Sequence, residues 1–353
     1  MTVSAHEITA LAEAQRWEDL EHLLETALPR AAGQTRVAYL VHLARAYEAT
    51  GRRERARETV AEAEDYIKEC RGLTLPLGWW IGLVAAHEKR QDYEAAIALL
   101  SRILAEQPVG DNGSAAALKI KLLRLKHAQR IHAQCSSLPV RILALGQNCL
   151  PDNLIARWGL GALSVEGPFH AGVFRGDGVA KALEEDFSAF FSRASYVVNK
   201  TASGVPVALL PAYNTLFNHE TGDAWVDGSL MRLRQLYAKR IGNFRDALQQ
   251  SRKERLLFIH TLLSSASPAR LLYALEKIAP GRAKRLVVFD FLNSHQGSED
   301  AFPEGARRIC TAYPKFDGGY VWHWPHHYDT ETGLAFEKSL IDPVVREIEG
   351  LRQ

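Results

Sequence analysis

RILALGQNCLPDNLIARWGL, Arg141 to Leu160, decides how the second half of this chain is read. Ile142, Leu143, Ala144 and Leu145 run without polar interruption into Gly146. The turn Gln147-Asn148-Cys149 follows, and Pro151 opens a segment whose Leu154, Ile155 and Trp158 recur at helical spacing. An apolar run without alternation is the pattern of a strand buried on both faces. Gly146 permits a sharp turn, and proline is tolerated in a first helical turn, where its missing N–H would have no partner anyway. The stretch reads as strand, turn, helix, with Cys149 at the carboxyl end of the strand and beside the helix start. Open α/β sheets place their ligands there, and thiol pKa values tend to fall there.

Two further runs of this kind lie downstream, RLLFIHTLL (Arg255 to Leu263) and RLVVFDFL (Arg285 to Leu292). Between them Ser267-Pro268 starts a helical pattern carrying Leu271, Leu272, Leu275 and Ile278, which stops at Pro280-Gly281. Strand, helix, strand at this spacing implies parallel pairing. A further strand is expected from Gly319 to Trp324, ahead of a closing helix from Gly333 to Leu351. Between Gly161 and Gln250 the signals are mixed, with Pro/Gly turns, a helix near Val179 to Phe191 and an amphipathic helix from Leu230 to Leu248. Residues 137–353 are expected to form a three-layer α/β domain with a mostly parallel sheet.

Upstream the pattern is helical and repetitive. RWEDLEHLLETAL, GRRERARETVAEA and QDYEAAIALLSRIL align, placing Leu20, Ala56 and Ala96 at equivalent positions, 36 and 40 residues apart. The central unit has Ala44, Tyr47, Gly51, Ala56 and Ala63, and the third ends at Pro108. This resembles the tetratricopeptide repeat, a helix–turn–helix of about 34 residues. Gly72, Pro76 and Gly78 between units suggest an irregular array. Asp111-Asn112-Gly113-Ser114 caps a last helix from Ala115 to Cys135, with Lys119, Lys121, Arg124 and Lys126 read as a solvated basic face. Residues 1–136 are thus expected to be a helical repeat domain, and stacked helix pairs commonly hold a protein or peptide.

Of the 353 residues, 43 are basic and 41 acidic, leaving a net charge of +2. Nothing in that balance points to nucleic acid, and no apolar stretch is long enough to span a bilayer. The first residues lack a basic start followed by an apolar run, so no signal peptide is expected. Cys70, Cys135, Cys149 and Cys310 are scattered without a CxxC pair, so they are expected to remain thiols in the cytoplasm. Cys70, Cys135 and Cys310 fall in helical stretches and read as core. GVFRGDG, Gly172 to Gly178, lacks the Lys-Ser/Thr of a phosphate loop and reads as a turn. Trp322-His323-Trp324-Pro325-His326-His327-Tyr328-Asp329 is rich in ligand types, but its spacing suits a pocket wall better than a metal site. Trp322 and His323 are its candidate binding residues; no metal and no cofactor is expected.

LALGQNCLPDNLIARWGL, followed by GPFHAGVFRGDGVAKALEEDFSAFF, resembles the opening of a bacterial family of unassigned function described as papain-like cysteine peptidases. Phe217-Asn218-His219-Glu220, LYAKRIGNFRDAL and RLLFIH match later elements of it, so the resemblance spans about 141–290. It implies a cysteine nucleophile, Cys149, with His219 as the motif-matched base. By topology Asp290 is the best-placed group to orient that base, with Asn293 next. Backbone N–H groups from Gln147 to Cys149 can form an oxyanion hole, as can the Gln147 side chain. Asn148 is counted with them as a binding residue. One departure stands out: His170-Ala171 follows Pro168-Phe169 where the family carries Asp-Trp, and His170 can replace that acid as a base.

The papain fold pairs a helical lobe with an antiparallel barrel, whereas this pattern is βαβ. The order strand, polar turn, helix, with late histidines, also suits an SGNH-type esterase, although Gln147-Asn148-Cys149 stands where that family has Gly-Asp-Ser. The leading expectation is a cysteine-nucleophile hydrolase or acyl-type transferase acting on a small molecule or glycan. The alternatives are a non-catalytic binding or scaffold protein and an α/β glycan-processing transferase.

Overall fold

The computed structural model describes residues 3–14, 16–70, 73, 75–106, 114–170, 172–249, 254–263, 266–291, 303–317 and 319–351. Gly72, Pro108, Asp111, Asn112, Gly113, Ala171 and Asn293, singled out in the sequence, lie outside them. The chain divides into two compact units, Met1–Lys126 and His127–Gln353, so the boundary falls inside a helix and about ten residues before the one expected.

The first unit is helical: α1 (Ala5–Glu13), α2 (Trp17–Ala27), α3 (Gly33–Ala49), α4 (Arg53–Glu69), α5 (Leu77–Lys89), α6 (Tyr93–Glu106) and the start of α7 (Ser114–Cys135). Three consecutive pairs share one turn. The N–H groups of Arg16, Arg52 and Asp92 reach back to the carbonyls of Leu11, Tyr47 and His87 at 2.9, 2.7 and 3.0 Å. Leu20, Ala56 and Ala96 are each the fourth residue of the second helix of a pair, and each is fully buried. Two of the three are alanine, which lets the paired helices approach closely. The turn needs a left-handed residue, supplied by Gly51 (φ 79°) in one pair and by Gln91 (φ 61°) in the next.

The basic face expected on α7 is only partly solvated. Lys119 and Lys126 are exposed, but Lys121 and Arg124 are buried and grip Glu88 of α5, at 2.9 Å (Nζ to Oε2) and 2.5 Å (Nη1 to Oε1). A carboxylate facing the helix turned two of its four cations inward.

The second unit is built on a parallel sheet with order β1 (Val140–Ala144), β6 (Arg255–Leu262), β7 (Lys284–Asp290), β8 (Ala306–Cys310). α12 (Pro268–Ile278) carries the chain from β6 to β7, the βαβ unit expected. One face of the sheet, with Ile142, Ala144, Leu257, Ile259, Val287 and Phe289, is covered by α8 (Leu150–Arg157) and α14 (Glu331–Gly350). The other, with Leu143, Leu145, Leu256, Phe258, Leu286 and Val288, is covered by α9 (Gly178–Glu184), α11 (Met231–Gln249) and α12. Burial on both faces explains the uninterrupted apolar runs.

The mixed stretch between α8 and β6 contains a second, antiparallel sheet. Its order is β2 (Val173–Phe174), β5 (Thr215–Thr221), β4 (Pro206–Leu210), β3 (Val197–Lys200), with the short α10 (Ser188–Phe191) before β3. Two readings are corrected in the last third. The fourth parallel strand is Ala306–Cys310, not Gly319 to Trp324, which is irregular chain leading into the one-turn α13 (Pro325–Tyr328). Cys310 accordingly ends an exposed strand edge, not a helix. Ala306–Cys310 is exposed or only partly buried along its length, so it lacks the continuous apolar signature of a strand buried on both faces. Among the described residues, no helix is long and apolar enough to cross a membrane.

Candidate active site

Cys149 stands where the strand–turn–helix reading put it, five residues beyond the end of β1 and at the cap of α8, with Pro151 in the first turn. The turn is close enough that a Cβ on Gly146 would lie 2.2 Å from the Asn148 carbonyl oxygen and 3.0 Å from Pro151 Cδ, so only glycine fits. The loop is stapled to β6. Gln147 N–H donates to Thr261 Oγ1 (2.7 Å), Gln147 Oε1 accepts from Leu263 N–H (2.7 Å), and Gln147 Nε2 donates to the Gly176 carbonyl (3.1 Å). Gln147 is therefore consumed in holding the loop, which corrects its expected role as an oxyanion donor. The GVFRGDG turn is part of the same staple. Besides the Gly176 carbonyl, it supplies Asp177, which accepts from Ser267 N–H at 2.7 Å and pairs with Arg270 at 3.1 Å.

The thiol itself receives a hydrogen bond from the Trp322 indole, Nε1 to Sγ 3.2 Å. Burial pushes the Cys149 thiol above its ordinary pKa, and the indole N–H works against that shift. Trp322 is held over the sulfur by a buried polar group of residues. Arg157 donates to the Trp322 carbonyl (2.6 Å) and pairs with Glu337, which also accepts from Trp158 Nε1 (2.8 Å) and Tyr320 Oη (2.9 Å). Glu337 is fully buried, so these donors are what make its charge tolerable there.

Asp152, one helical turn beyond Cys149, lies 2.6 Å from Nδ1 of His170, an ion-pair contact in which the ring nitrogen is not aligned as a hydrogen bond. Burial opposes charge on that ring, but the Asp152 carboxylate outweighs it and the His170 pKa lies above its ordinary value. His219 sits on the exposed side of β5, and desolvation, with Arg240 and His170 adding to it, holds its pKa below the ordinary value. His323, beside Trp322, is lowered by desolvation and by His219. His219 thus feels the charge of His170, and His323 that of His219. The side-chain partners of the Cys149 sulfur are Trp322 and Asn153.

Asp290 ends β7, and its carboxylate is gripped by Arg308 of β8 at 2.7 to 2.8 Å. His260 is excluded as a base. It is buried in β6 with Nδ1–H on the Leu145 carbonyl at 2.5 Å, and burial lowers its pKa to about 4. No family model, curated protein or solved structure matches the chain.

The late aromatic stretch also separates into parts. Trp322 faces the thiol, Trp324 is exposed at the start of α13, and His327 is buried, accepting from Val321 N–H (2.8 Å) and stacking on Phe316. No group of three or more His, Cys, Asp or Glu among the described residues is arranged to hold a metal ion. Two site residues were missed. Asp152 was findable, being an acid three places after the cysteine on a helix. Tyr313 stacks on Trp322 (centroids 6.3 Å, 26°) and no local pattern announces it.

Proposed function

We propose that the second unit is a cysteine-dependent hydrolase or acyl-type transferase in which Cys149 is the nucleophile and His170, held by Asp152, is the base. The observation that carries the reading is the Asp152–His170 contact at 2.6 Å, rooted one helical turn from a thiol that caps a helix at the carboxyl edge of a parallel sheet. The carboxylate makes His170 a stronger proton acceptor, and a thiol with a raised pKa needs one. His170 takes the thiol proton as Sγ bonds to the acyl carbon. The leaving group departs with that proton, and water or an acceptor nucleophile then cleaves the thioester and restores the thiol. The ring must approach the sulfur, directly or through a water, when substrate binds; catalytic hydrogen bonds commonly tighten at that stage.

This keeps the nucleophile implied by the resemblance to the papain-like peptidase family and replaces its base and orienting residue. The helical pairs of the first unit fit tetratricopeptide-like repeats that hold a protein or peptide, and the free thiols fit a reducing cytoplasm. A second reading, a binding module without turnover, is favoured by the raised thiol pKa. Intact-mass measurement after incubation with a panel of acyl thioesters and activated esters separates the two. Enzyme chemistry requires an acyl adduct that maps to Cys149, turns over, and is absent in Cys149→Ser. Ligand binding without any adduct at Cys149 would establish the second reading instead.

A further inference from the structure

Asn148 precedes the nucleophile and is 5% exposed. Its amide orientation is set by the residues around it. Oδ1 accepts from Leu150 N–H at 3.1 Å and from the Thr261 hydroxyl at 3.4 Å, so Nδ2 is turned to the other side. There Nδ2 is buried beside the Tyr313 phenol, with no aligned hydrogen bond to it or to another acceptor. The Tyr313 hydroxyl is likewise buried without an aligned partner, on a ring stacked against Phe291 (centroids 4.2 Å, 3°) and Trp322 (6.3 Å). Trp322 in turn donates to the Cys149 sulfur. Two buried donors thus stand side by side near one thiol, neither in an aligned hydrogen bond. A buried donor without an aligned partner is costly, and a bound acceptor removes that cost.

We infer that Asn148 Nδ2 and Tyr313 Oη form the site for the acyl oxygen of the substrate and donate to the oxyanion formed when Cys149 attacks. This rests on the acyl-transfer reading above and replaces Gln147, whose amide is committed to the loop. The ligand class is a carbonyl compound able to become tetrahedral: a thioester, ester or amide, or an aldehyde as a stable mimic. As Sγ bonds to the carbonyl carbon, the C=O π pair moves onto oxygen, and the two donors receive that charge. Burial keeps the phenol protonated for this role, with its pKa pushed up to about 12.

The test compares two reactions of one sulfur in the full chain. Acylation by a short-chain acyl thioester, and reversible addition of butyraldehyde, both develop an oxyanion; alkylation by iodoacetamide does not. Asn148→Asp keeps an acceptor for Leu150 N–H and removes the donor, and Tyr313→Phe removes only the hydroxyl. Asn148→Asp is expected to slow acylation about a hundredfold and weaken aldehyde binding in parallel, with alkylation changed less than about threefold. Tyr313→Phe is expected to do the same to a smaller extent. Equal losses in acylation and alkylation, or no loss in acylation, would overturn the oxyanion site while leaving Cys149 as nucleophile. A wild-type chain that alkylates but acylates with no probe would overturn the acyl-transfer reading, and the oxyanion site with it.

Discussion

At Cys149 two opposed forces act on one atom. Burial disfavours the thiolate, and the Trp322 indole N–H at 3.2 Å favours it. A hydrogen bond to a charged group is worth about 1.5–3 kcal/mol, so Trp322→Phe should slow iodoacetamide alkylation at fixed neutral pH by roughly tenfold or more. An unchanged rate would show that the indole only covers the sulfur. The position of Cys149 was legible because Gly146 and Pro151 leave a turn few other conformations. Its partners were not, because a base and an oxyanion donor are defined by which side chain the fold turns inward. Gln147 and Asn148 are neighbours of the same type. Only Leu263 and Gly176, far away in sequence, consume one side-chain amide and leave the other's N–H without an aligned bond.

At the scale of elements, periodicity located most helices to within a few residues, and the continuous apolar runs located β1, β6 and β7. The failures share a cause. β8 is only partly covered and α7 carries two inward cations, so neither shows the polarity pattern its place in the fold would suggest. The α7 arrangement has an energetic consequence. Arg124 and Lys121 hold the Glu88 carboxyl at a pKa of about 2 in spite of its burial. Glu88→Gln removes the carboxylate that both buried cations grip and should destabilise the first unit by about 3–5 kcal/mol, read as the shift in a denaturant midpoint followed by helical circular dichroism. A change under about 1 kcal/mol would mean that water replaces the carboxylate. In the wild type this pair contributes stability that is fully present above the ordinary carboxyl pKa and is lost as pH falls toward about 2.

For the molecule as a whole, alternation of strand and helix showed an α/β unit after a helical one. The antiparallel second sheet stayed hidden because its strands are short, and β3 is exposed along its whole length. The parallel sheet carries a pH liability at its centre. His260 is neutral when folded, with a pKa of about 4, and titrates near 6.5 when unfolded. Between those values the unfolded chain binds more protons, so stability falls as pH is lowered, by about 3 kcal/mol across the window. His260→Asn, which retains an N–H for the Leu145 carbonyl, should flatten the dependence of the urea midpoint between pH 6.5 and 4. An unchanged slope would place the acid sensitivity elsewhere.

The central claim, that Cys149 is served by His170 and not by His219, is tested most directly by the rate of Cys149 acylation in His170→Gln and His219→Gln, measured by intact mass at neutral pH. General-base catalysis contributes about 10²–10⁴-fold. His170→Gln should therefore lose at least about a hundredfold, with His219→Gln within a few-fold of wild type. The reverse order would contradict the assignment and return the base to His219.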